Sequence, residues 1–231
     1  TLATSSAASD VYKRQTTADG TTGAYTITPA ELSDGAYSLT VTATDAAGNI
    51  SAASSALNLT VDTTTPAQPA ITTTTTLTTD ATPTIEGTAE AGSTVTLLSS
   101  GVAIGTTTAN GDGQFSITTS TLADSNYVLT VTATDAAGNI SAASSALNLT
   151  VDTTAPAQPI ITTTTALTND STPAIEGVAE AGSTVTLFVD GETTGITTTA
   201  DGTTGAYTIA PTVALSDGDY ALTVTATDAA G

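Results

Sequence analysis

Carboxylates dominate the side chains of this chain that could do chemistry. The 231 residues include 22 Asp and Glu against two basic residues, a formal net charge of -20, and contain neither His nor Cys. Without His and Cys the chain has no Ser-His or Cys-His nucleophile pair, no zinc site of the usual kind and no disulfide. The charge also argues against a nucleic-acid partner, because phosphate binding needs Lys and Arg. Divalent cations are therefore the natural counterions.

The chain that must position these carboxylates is a tandem repeat. LTVTATDAAGNISAASSALNLTVDTT occupies 39–64 and returns unchanged at 129–154, and TPTIEGTAEAGSTVTL from Thr82 returns almost unchanged from Thr172, again ninety residues later. A period near ninety is too long for a solenoid repeat and suits a whole small domain. We therefore predict the C-terminal half of one repeat at 16–62, a complete repeat at 63–152, and a repeat lacking its last strand at 153–231.

Each repeat consists of short segments rich in Thr and Val. In YVLTVTATD, Tyr127, Leu129, Val131 and Ala133 alternate with more polar residues, which is the period of a strand with one buried face. Gly, Asp, Asn and Pro separate the segments, as turns require. The predicted strands are QPAITT (A), PTIEGTAE (B), STVTLLSS (C), GTTTA (D), QFSITT (E), YVLTVTATD (F) and ALNLTVD (G). About seven strands per repeat predict an all-β chain of tandem immunoglobulin-like antiparallel β-sandwich domains.

Three motifs carry a resemblance to a known family: VDTTAPAQP, TPAIEGVAEAGSTVTL and YVLTVTATDAAGN. In sequence and spacing they resemble the bacterial immunoglobulin-like repeats of giant secreted adhesins and biofilm-associated surface proteins. The likeness covers residues 16–231. It implies an extracellular or cell-surface location, and calcium bound between domains. It also implies a tyrosine corner in each repeat, at Tyr37, Tyr127 and Tyr220. Leu stands two residues after each Tyr, where an antibody domain has Cys, so the core is expected to lack a disulfide.

The topology of such a sandwich sorts the acidic residues by the end of the repeat at which they lie. The incoming linker and the B–C and F–G turns share the N-terminal end, and the A–B and E–F connections share the C-terminal end. Clusters of oxygen ligands there suit calcium, which accepts six to eight oxygens in irregular geometry. The predicted ligands are Asp62, Glu90, Asp135 and Asn139 at the first junction, and Asp152, Glu180, Asp228, Asp80 and Asp124 at the second. Asp in DAAGN and SDG can equally be an ordinary turn residue that binds its own backbone.

These features predict a mechanical role. The repeats would form a stalk, stiffened by calcium at the junctions, that projects a distal adhesive domain for cell adhesion or biofilm formation; adjacent repeats would be its partners, and the distal receptor is left open. Alternatively, a repeat binds a carbohydrate or protein receptor through the variable strands C and D, where Phe188 is the useful aromatic residue. No catalytic residue is predicted, and no apolar run reaches the roughly 18 residues of a membrane span.

The opening stretch SSAASDVYKRQ, residues 5–15, holds both basic residues and falls outside the repeat pattern. Back-translation of these eleven residues gives a DNA sequence that resembles a transposase adapter used to build sequencing libraries. We therefore predict that residues 1–15 are not native, which leaves 21 acidic residues (22 less Asp10) and no basic one. At the other end, strand F of the last repeat is predicted to have an open edge that can capture a strand from another copy.

Overall fold

The protein is all-β, as predicted. The computed structural model describes residues 2–6, 14–164 and 167–231, and every regular element in those ranges is a β-strand. No helix in these ranges has the length and hydropathy needed to cross a bilayer. Most of the stretch predicted to be non-native, including Lys13, lies outside the described residues.

The first unit is a single antiparallel sheet. Its strands are β1 (Leu2–Ser6), β2 (Gln15–Thr16), β3 (Gly35–Ala43) and β4 (Leu57–Val61), in the order β2-β1-β3-β4. The edge of β3 opposite β4 pairs with β1, from Leu2 facing Ala43 to Ser6 facing Leu39. Backbone pairing requires no particular side chains, so it does not bear on where residues 1–15 come from.

The second unit is a two-sheet sandwich. Its strands are β5 (Ala70–Ile71), β6 (Leu77–Thr78), β7 (Thr84–Thr88), β8 (Thr94–Ser99), β9 (Val102–Thr108), β10 (Gln114–Thr118), β11 (Ser125–Thr134) and β12 (Leu147–Val151). One sheet has the order β10-β7-β5 and the other β6-β12-β11-β8-β9. Neighbouring strands are antiparallel except β6 and β12, which are parallel. The architecture is that of the predicted sandwich.

The core of this unit follows from the alternation along its strands. Ile85, Phe115 and Ile117 point inward from the smaller sheet and meet the inward face of the larger one, which presents Val95, Leu97, Leu129, Val131, Leu149 and Val151. Gly87 makes room for the two neighbouring strands of its own sheet, since the Ala70 carbonyl and the Phe115 ring fill the space that a Cβ would take. Burial of these apolar side chains stabilises the unit.

The third unit repeats this plan, but among its described residues the sheet that corresponds to the five-stranded one has three strands. Its strands are β13 (Ile160–Ile161), β14 (Ile175–Val178), β15 (Thr184–Val189), β16 (Glu192–Thr199), β17 (Ala206–Ile209) and β18 (Leu222–Thr227), in the orders β13-β14-β17 and β16-β15-β18. Its buried cluster includes Ile175, Val185, Leu187 and Tyr207. Tyr207 takes the place of Phe115, and its hydroxyl donates to the Ile160 carbonyl at 3.1 Å.

Three strand details differ from the sequence prediction. Strand A pairs only over Ala70–Ile71, and the two-residue strand β6 was not predicted at all. Strand D starts at Val102 rather than at Gly105, because Ser100 and Gly101 both adopt positive φ, at 49° and 85°. Two consecutive residues of positive φ make the tight turn whose twist matches a hairpin, so pairing resumes at once.

The predicted tyrosine corner forms in two of the three units. The Tyr37 hydroxyl donates to the Ser33 carbonyl at 2.7 Å, and the Tyr127 hydroxyl to the Ala123 carbonyl at 2.9 Å. No residue in the described part of the chain accepts such a bond from Tyr220. The units differ in the strand that pairs beside the tyrosine. β4 pairs beside Tyr37 and β12 beside Tyr127, whereas Tyr220 lies before β18, which begins at Leu222.

Candidate functional site

The F–G turn uses its aspartate to organise its own backbone. Oδ1 of Asp135 accepts the N–H groups of Ala137, Gly138 and Asn139 at 2.8 to 2.9 Å, and Oδ2 accepts Nδ2 of Asn139 at 2.8 Å. The side-chain amide of Asn139 contributes most to holding the pKa of Asp135 below its ordinary value, and the backbone N–H groups add to the effect. Here the turn interpretation accounts for the carboxylate.

The E–F connection carries a second aspartate that holds the outgoing linker. Oδ1 of Asp124 accepts the N–H and hydroxyl of Thr153 at 2.9 and 2.8 Å, and Oδ2 accepts the hydroxyl of Thr154 at 2.6 Å. We call this arrangement the aspartate–threonine clamp. The Thr154 hydroxyl is the main cause that holds the pKa of Asp124 below its ordinary value.

The same clamp forms at the preceding linker. Oδ1 of Asp34 accepts the N–H and hydroxyl of Thr63 at 2.9 and 2.7 Å, and Oδ2 accepts the hydroxyl of Thr64 at 2.7 Å. The pKa of Asp34 is lowered in the same way, with Thr64 as the main cause. Sequence reasoning placed Asp124 near the second junction but missed Asp34 and all four threonines. The sequence signal for the clamp was VDTT at the end of strand G, which recurs at 61–64 and 151–154.

The first linker is also tied to the repeat it enters. Nδ2 of Asn139 donates to the Asp62 carbonyl at 3.0 Å, and Nε2 of Gln68 donates to the Ala143 carbonyl at 2.5 Å. Pro66 and Pro69, on either side of Ala67 and Gln68, are both buried. The linker is thus bound to the unit before it through Asp34 and to the unit after it through Asn139 and Gln68.

Most of the other predicted ligands form local contacts of their own. Oδ1 of Asp80 accepts the N–H of Thr82 at 2.7 Å, and Oδ1 of Asp228 accepts the N–H groups of Ala230 and Gly231 at 2.8 and 2.9 Å. Oδ1 of Asp62 and of Asp152 accepts the N–H two residues later, at 3.1 and 3.2 Å. The carbonyls of Glu90 and Glu180 accept the hydroxyls of Ser93 and Ser183, each at 2.7 Å.

The structure brings some predicted ligands together but not as a carboxylate cluster. Asn139 contacts both Asp135 and Asp62, and the Asp152 N–H donates to the Thr78 carbonyl, two residues from Asp80, at 3.0 Å. Within residues 2–6, 14–164 and 167–231 no group of three or more His, Cys, Asp or Glu residues could hold a metal ion. The oxygen donors suit calcium in type, but Oδ1 of Asp62 and both carboxylate oxygens of Asp135 already accept hydrogen bonds. Their fit to the ion is therefore partial, and calcium stays a prediction.

Comparison with curated proteins identifies a relative that this chain matches over part of that protein's length. The chain is 34% identical over 242 residues to Exoglucanase B of Cellulomonas fimi, covering 96% of this chain and 21% of that protein. It therefore spans about a fifth of the length of the curated relative it matches.

Similar solved structures include the fibronectin(III)-like modules of Clostridium thermocellum CbhA, at 18% identity and a TM-score of 0.44, covering 69% of this chain and 85% of that one. The BSP domain of a biofilm associated protein is also 18% identical, with a TM-score of 0.28, covering 86% of this chain and 40% of that one.

The match to a family model extends over nearly the whole chain. The model described as bacterial Ig-like domain matches three times in succession, at residues 3–63, 68–153 and 161–231. The second and third matches fall on the two units described above as two-sheet sandwiches. The first falls on the unit whose β3 shares LTVTA with β11 and whose β4 is identical to β12. The chain belongs to the bacterial Ig-like domain family.

Proposed function

We propose that this chain is a structural extender. Its tandem Ig-like repeats form part of the stalk of a large extracellular bacterial adhesin, and the stalk projects a distal adhesive domain for cell adhesion or biofilm formation. The observation that carries the proposal is the clamp, which forms with the same three hydrogen bonds at two successive linkers, on Asp34 and on Asp124. A spacer needs each junction to have the same geometry as the last.

The stiffness of the first linker follows from its anchors. Thr63 and Thr64 are held by the unit before, Gln68 by the unit after, and only Thr65, Pro66 and Ala67 lie between them. Proline fixes φ, so Pro66 removes further freedom from this short span. A linker with so few free torsions keeps successive repeats at a set angle and spacing.

The experiment measures the spread of distances across the first linker, which is anchored on both sides. Spin labels on Asn58→Cys and Val102→Cys lie on exposed positions of the first and second units, and the chain has no other Cys. Pulsed electron–electron double resonance should give a narrow distance distribution, which Asp34→Ala should broaden. Asp112→Ala, an exposed carboxylate in the turn before β10, is the matched control and should leave it narrow. Equal widths for all three proteins would contradict the role of the clamp.

We also propose that calcium adds to this stiffness at the junctions. The support is the net charge of -20 and the contacts of Asn139 with both Asp62 and Asp135 at the first junction. When bound, calcium supplies positive charge that offsets the repulsion between nearby carboxylates. Titration of calcium into the chain should raise its melting temperature, and chelation should reverse the rise. No shift at millimolar calcium would dispose of this part of the proposal.

The proposed role is non-catalytic and does not depend on what else the full protein carries. The curated relative is an exoglucanase of which this chain matches about a fifth, and a spacer would serve equally beside a catalytic domain. Direct receptor binding has less support, since Phe188, the aromatic residue it would use, is half-buried in β15. Binding of an isolated repeat to a glycan array would favour that alternative, whereas a pure spacer should give no signal.

A further inference from the structure

The turn between β9 and β10 carries two neighbouring residues that can react with each other. Asn110 and Gly111 are both exposed, and Asn110 is the only asparagine in the sequence that a glycine follows. The Cγ atom of an asparagine is an electrophile, and attack by the backbone nitrogen of the next residue closes a five-membered ring. Glycine has no Cβ that would hinder this nitrogen. The turn therefore holds an electrophile and a nucleophile side by side in the chain.

The backbone nitrogen of Gly111 is accessible. Within the described part of the chain its N–H donates to no acceptor. Beyond the two neighbouring residues, no atom lies within 4 Å of the place that a Cβ on Gly111 would take. The nitrogen can therefore lose its proton to water without giving up a hydrogen bond inside the protein.

Two backbone groups polarise the side-chain carbonyl of Asn110. Its Oδ1 accepts the N–H of Asp112 at 3.0 Å and the N–H of Gln114 at 2.8 Å. Attack on Cγ places negative charge on Oδ1, and fixed N–H groups stabilise such a charge. The amide nitrogen Nδ2 lies 3.4 Å from Oε1 of Gln114, which is itself exposed. The leaving group is thus open to water.

The base of the turn is held firmly while its tip is exposed. The Asn110 N–H donates to the Gln114 carbonyl, and the Gly113 N–H donates to the Asn110 carbonyl, both at 2.9 Å. Gly113 is buried, and the Gly92 N–H donates to the carbonyl of buried Ala109 at 3.0 Å. The reacting pair therefore lies on the solvent side of a well-ordered turn.

The corresponding turn of the third unit has an aspartate at this position. TTADGTTGAYTI from Thr198 aligns Asp201 with Asn110, and its Oδ1 accepts the N–H groups of Thr203 and Thr204 at 3.0 and 2.8 Å. The Thr204 N–H is the main cause that holds the pKa of Asp201 below its ordinary value. A carboxylate at this position is therefore compatible with the turn.

We propose that Asn110 and Gly111 form a self-modification site, at which the chain converts its own asparagine to aspartate or isoaspartate. The Gly111 nitrogen bonds to Cγ and passes its proton to water. The bond from Cγ to Nδ2 breaks, and Nδ2 takes up a proton and leaves as ammonia. Water then opens the cyclic imide, so the net change is the exchange of an amide nitrogen for an oxygen, with no oxidation or reduction.

The position at which water attacks decides the consequence for the second unit. Attack at Cγ breaks the new bond and leaves aspartate, which adds a negative charge and can accept the same two N–H groups. Hydrogen bonds to a charged acceptor are stronger than those to an amide. Attack at the main-chain carbonyl carbon of Asn110 breaks the original peptide bond and leaves isoaspartate. The backbone then runs through the side chain, which lengthens the turn and displaces the bonds between Asn110, Gly113 and Gln114.

Mass spectrometry of the aged full chain tests the proposal. The chain is incubated in mildly alkaline buffer and digested with pepsin, and ammonia release is measured in parallel. The peptide containing Asn110 should gain the mass difference between an amide and an acid. The peptide containing Asn126, which is also exposed but precedes Tyr127, is the internal control and should not change. No change at Asn110, or equal change at both asparagines, would overturn the proposal.

A matched pair of glycine variants tests the role of the Gly111 nitrogen. Neither Gly111 nor Gly202, its counterpart in the third unit, adopts positive φ or has crowded surroundings, so alanine fits at both positions. Gly111→Ala should slow the conversion of Asn110 by about tenfold, because a methyl group beside the attacking nitrogen raises the barrier. Gly202→Ala should leave the rate unchanged, and equal melting temperatures confirm that both variants fold. Conversion of Asn110 at the wild-type rate in Gly111→Ala would refute attack by this nitrogen.

Discussion

The same 26-residue sequence occupies 39–64 and 129–154, and the two copies differ in what covers them. Their local hydrogen bonds agree: the Ser54 hydroxyl accepts the Val41 N–H at 3.1 Å, and the Ser144 hydroxyl accepts the Val131 N–H at 3.0 Å. Burial does not agree. Val131 is fully buried, whereas Val41 is only half-buried.

The difference lies in the opposite sheet. In the second unit Ile85, Phe115 and Ile117 cover the inward face of β11 and β12, while the described residues of the first unit form one sheet only. Turns and strand pairing are thus encoded within the segment itself, and burial is supplied by residues elsewhere in the chain. The same substitution should therefore change the stability of the two copies by different amounts.

The largest effect is expected at the fully buried leucine of the segment. Leu129→Ala should lower the free energy of unfolding of the second unit by about 2 to 5 kcal/mol, because it removes packed methyl groups and leaves a cavity. Leu39→Ala, the same substitution in the half-buried copy, should cost about 1 kcal/mol or less. Urea denaturation of the two variants measures both, and equal losses would mean that the first unit is covered as well as the second.

A smaller effect is expected at the serine that accepts a strand N–H. Ser144 is buried, so Ser144→Ala leaves the Val131 N–H without a partner or water and should cost about 1 to 3 kcal/mol. In the first copy water can replace the hydroxyl of exposed Ser54, and Ser54→Ala should be close to neutral. Hydrogen exchange at the Val41 and Val131 amides reports the two sites separately; protection lost equally at both would contradict the contrast in burial.

The smallest effect is expected from pH, and it should be the same in both copies. The pKa values of Asp34, Asp45, Asp124 and Asp135 are all lowered from 3.8 by hydrogen bonds to the ionised carboxylate. Groups whose pKa falls on folding stabilise the protein above the unfolded-state pKa, and this contribution disappears as the pH falls through the lower folded-state value. Melting temperature should therefore drop below about pH 4.

Asp124→Asn is the control for this pH dependence. It should melt lower than the wild type at neutral pH and show a smaller further drop in acid, because one of the titrating carboxylates has been removed. An unchanged acid response would show that the clamp contributes nothing to it. Asp34, Asp45 and Asp124 are exposed and Asp135 is only half-buried, so the pH effect should stay below the effect of Leu129→Ala.

The sequence was sufficient to predict the fold because alternation and turn residues are local signals. The period of two in YVLTVTATD identifies the buried face of β11, and the tyrosine corner follows from a residue four positions away. The clamp was not predictable in this way. Asp124 and Thr153 are 29 residues apart and meet only because β12 ends beside the E–F connection. The alternation of residues along a strand gives no information about such a long-range contact.

The predicted ligands show a second limit of sequence reasoning. Asp135 could bind a cation or form a turn, and the residue types are the same for both roles. The structure adds the distances to Ala137, Gly138 and Asn139, which account for the turn. For strand F of the third unit, the alternating pattern predicted a strand from Tyr220, but β18 starts at Leu222. Strand formation needs a partner as well as a pattern.

The parallel pairing of β6 with β12 has a mechanical consequence for a chain under tension. β6 is near the start of the second unit and β12 at its end, so a pull on the two linkers draws these neighbouring strands in opposite directions along their length. The Thr150 N–H to the Thr76 carbonyl, at 2.8 Å, and the Asp152 N–H to the Thr78 carbonyl, at 3.0 Å, are then loaded in shear. Bonds loaded in shear must yield together rather than one after another, so we expect this short pairing to set the force at which the repeat extends.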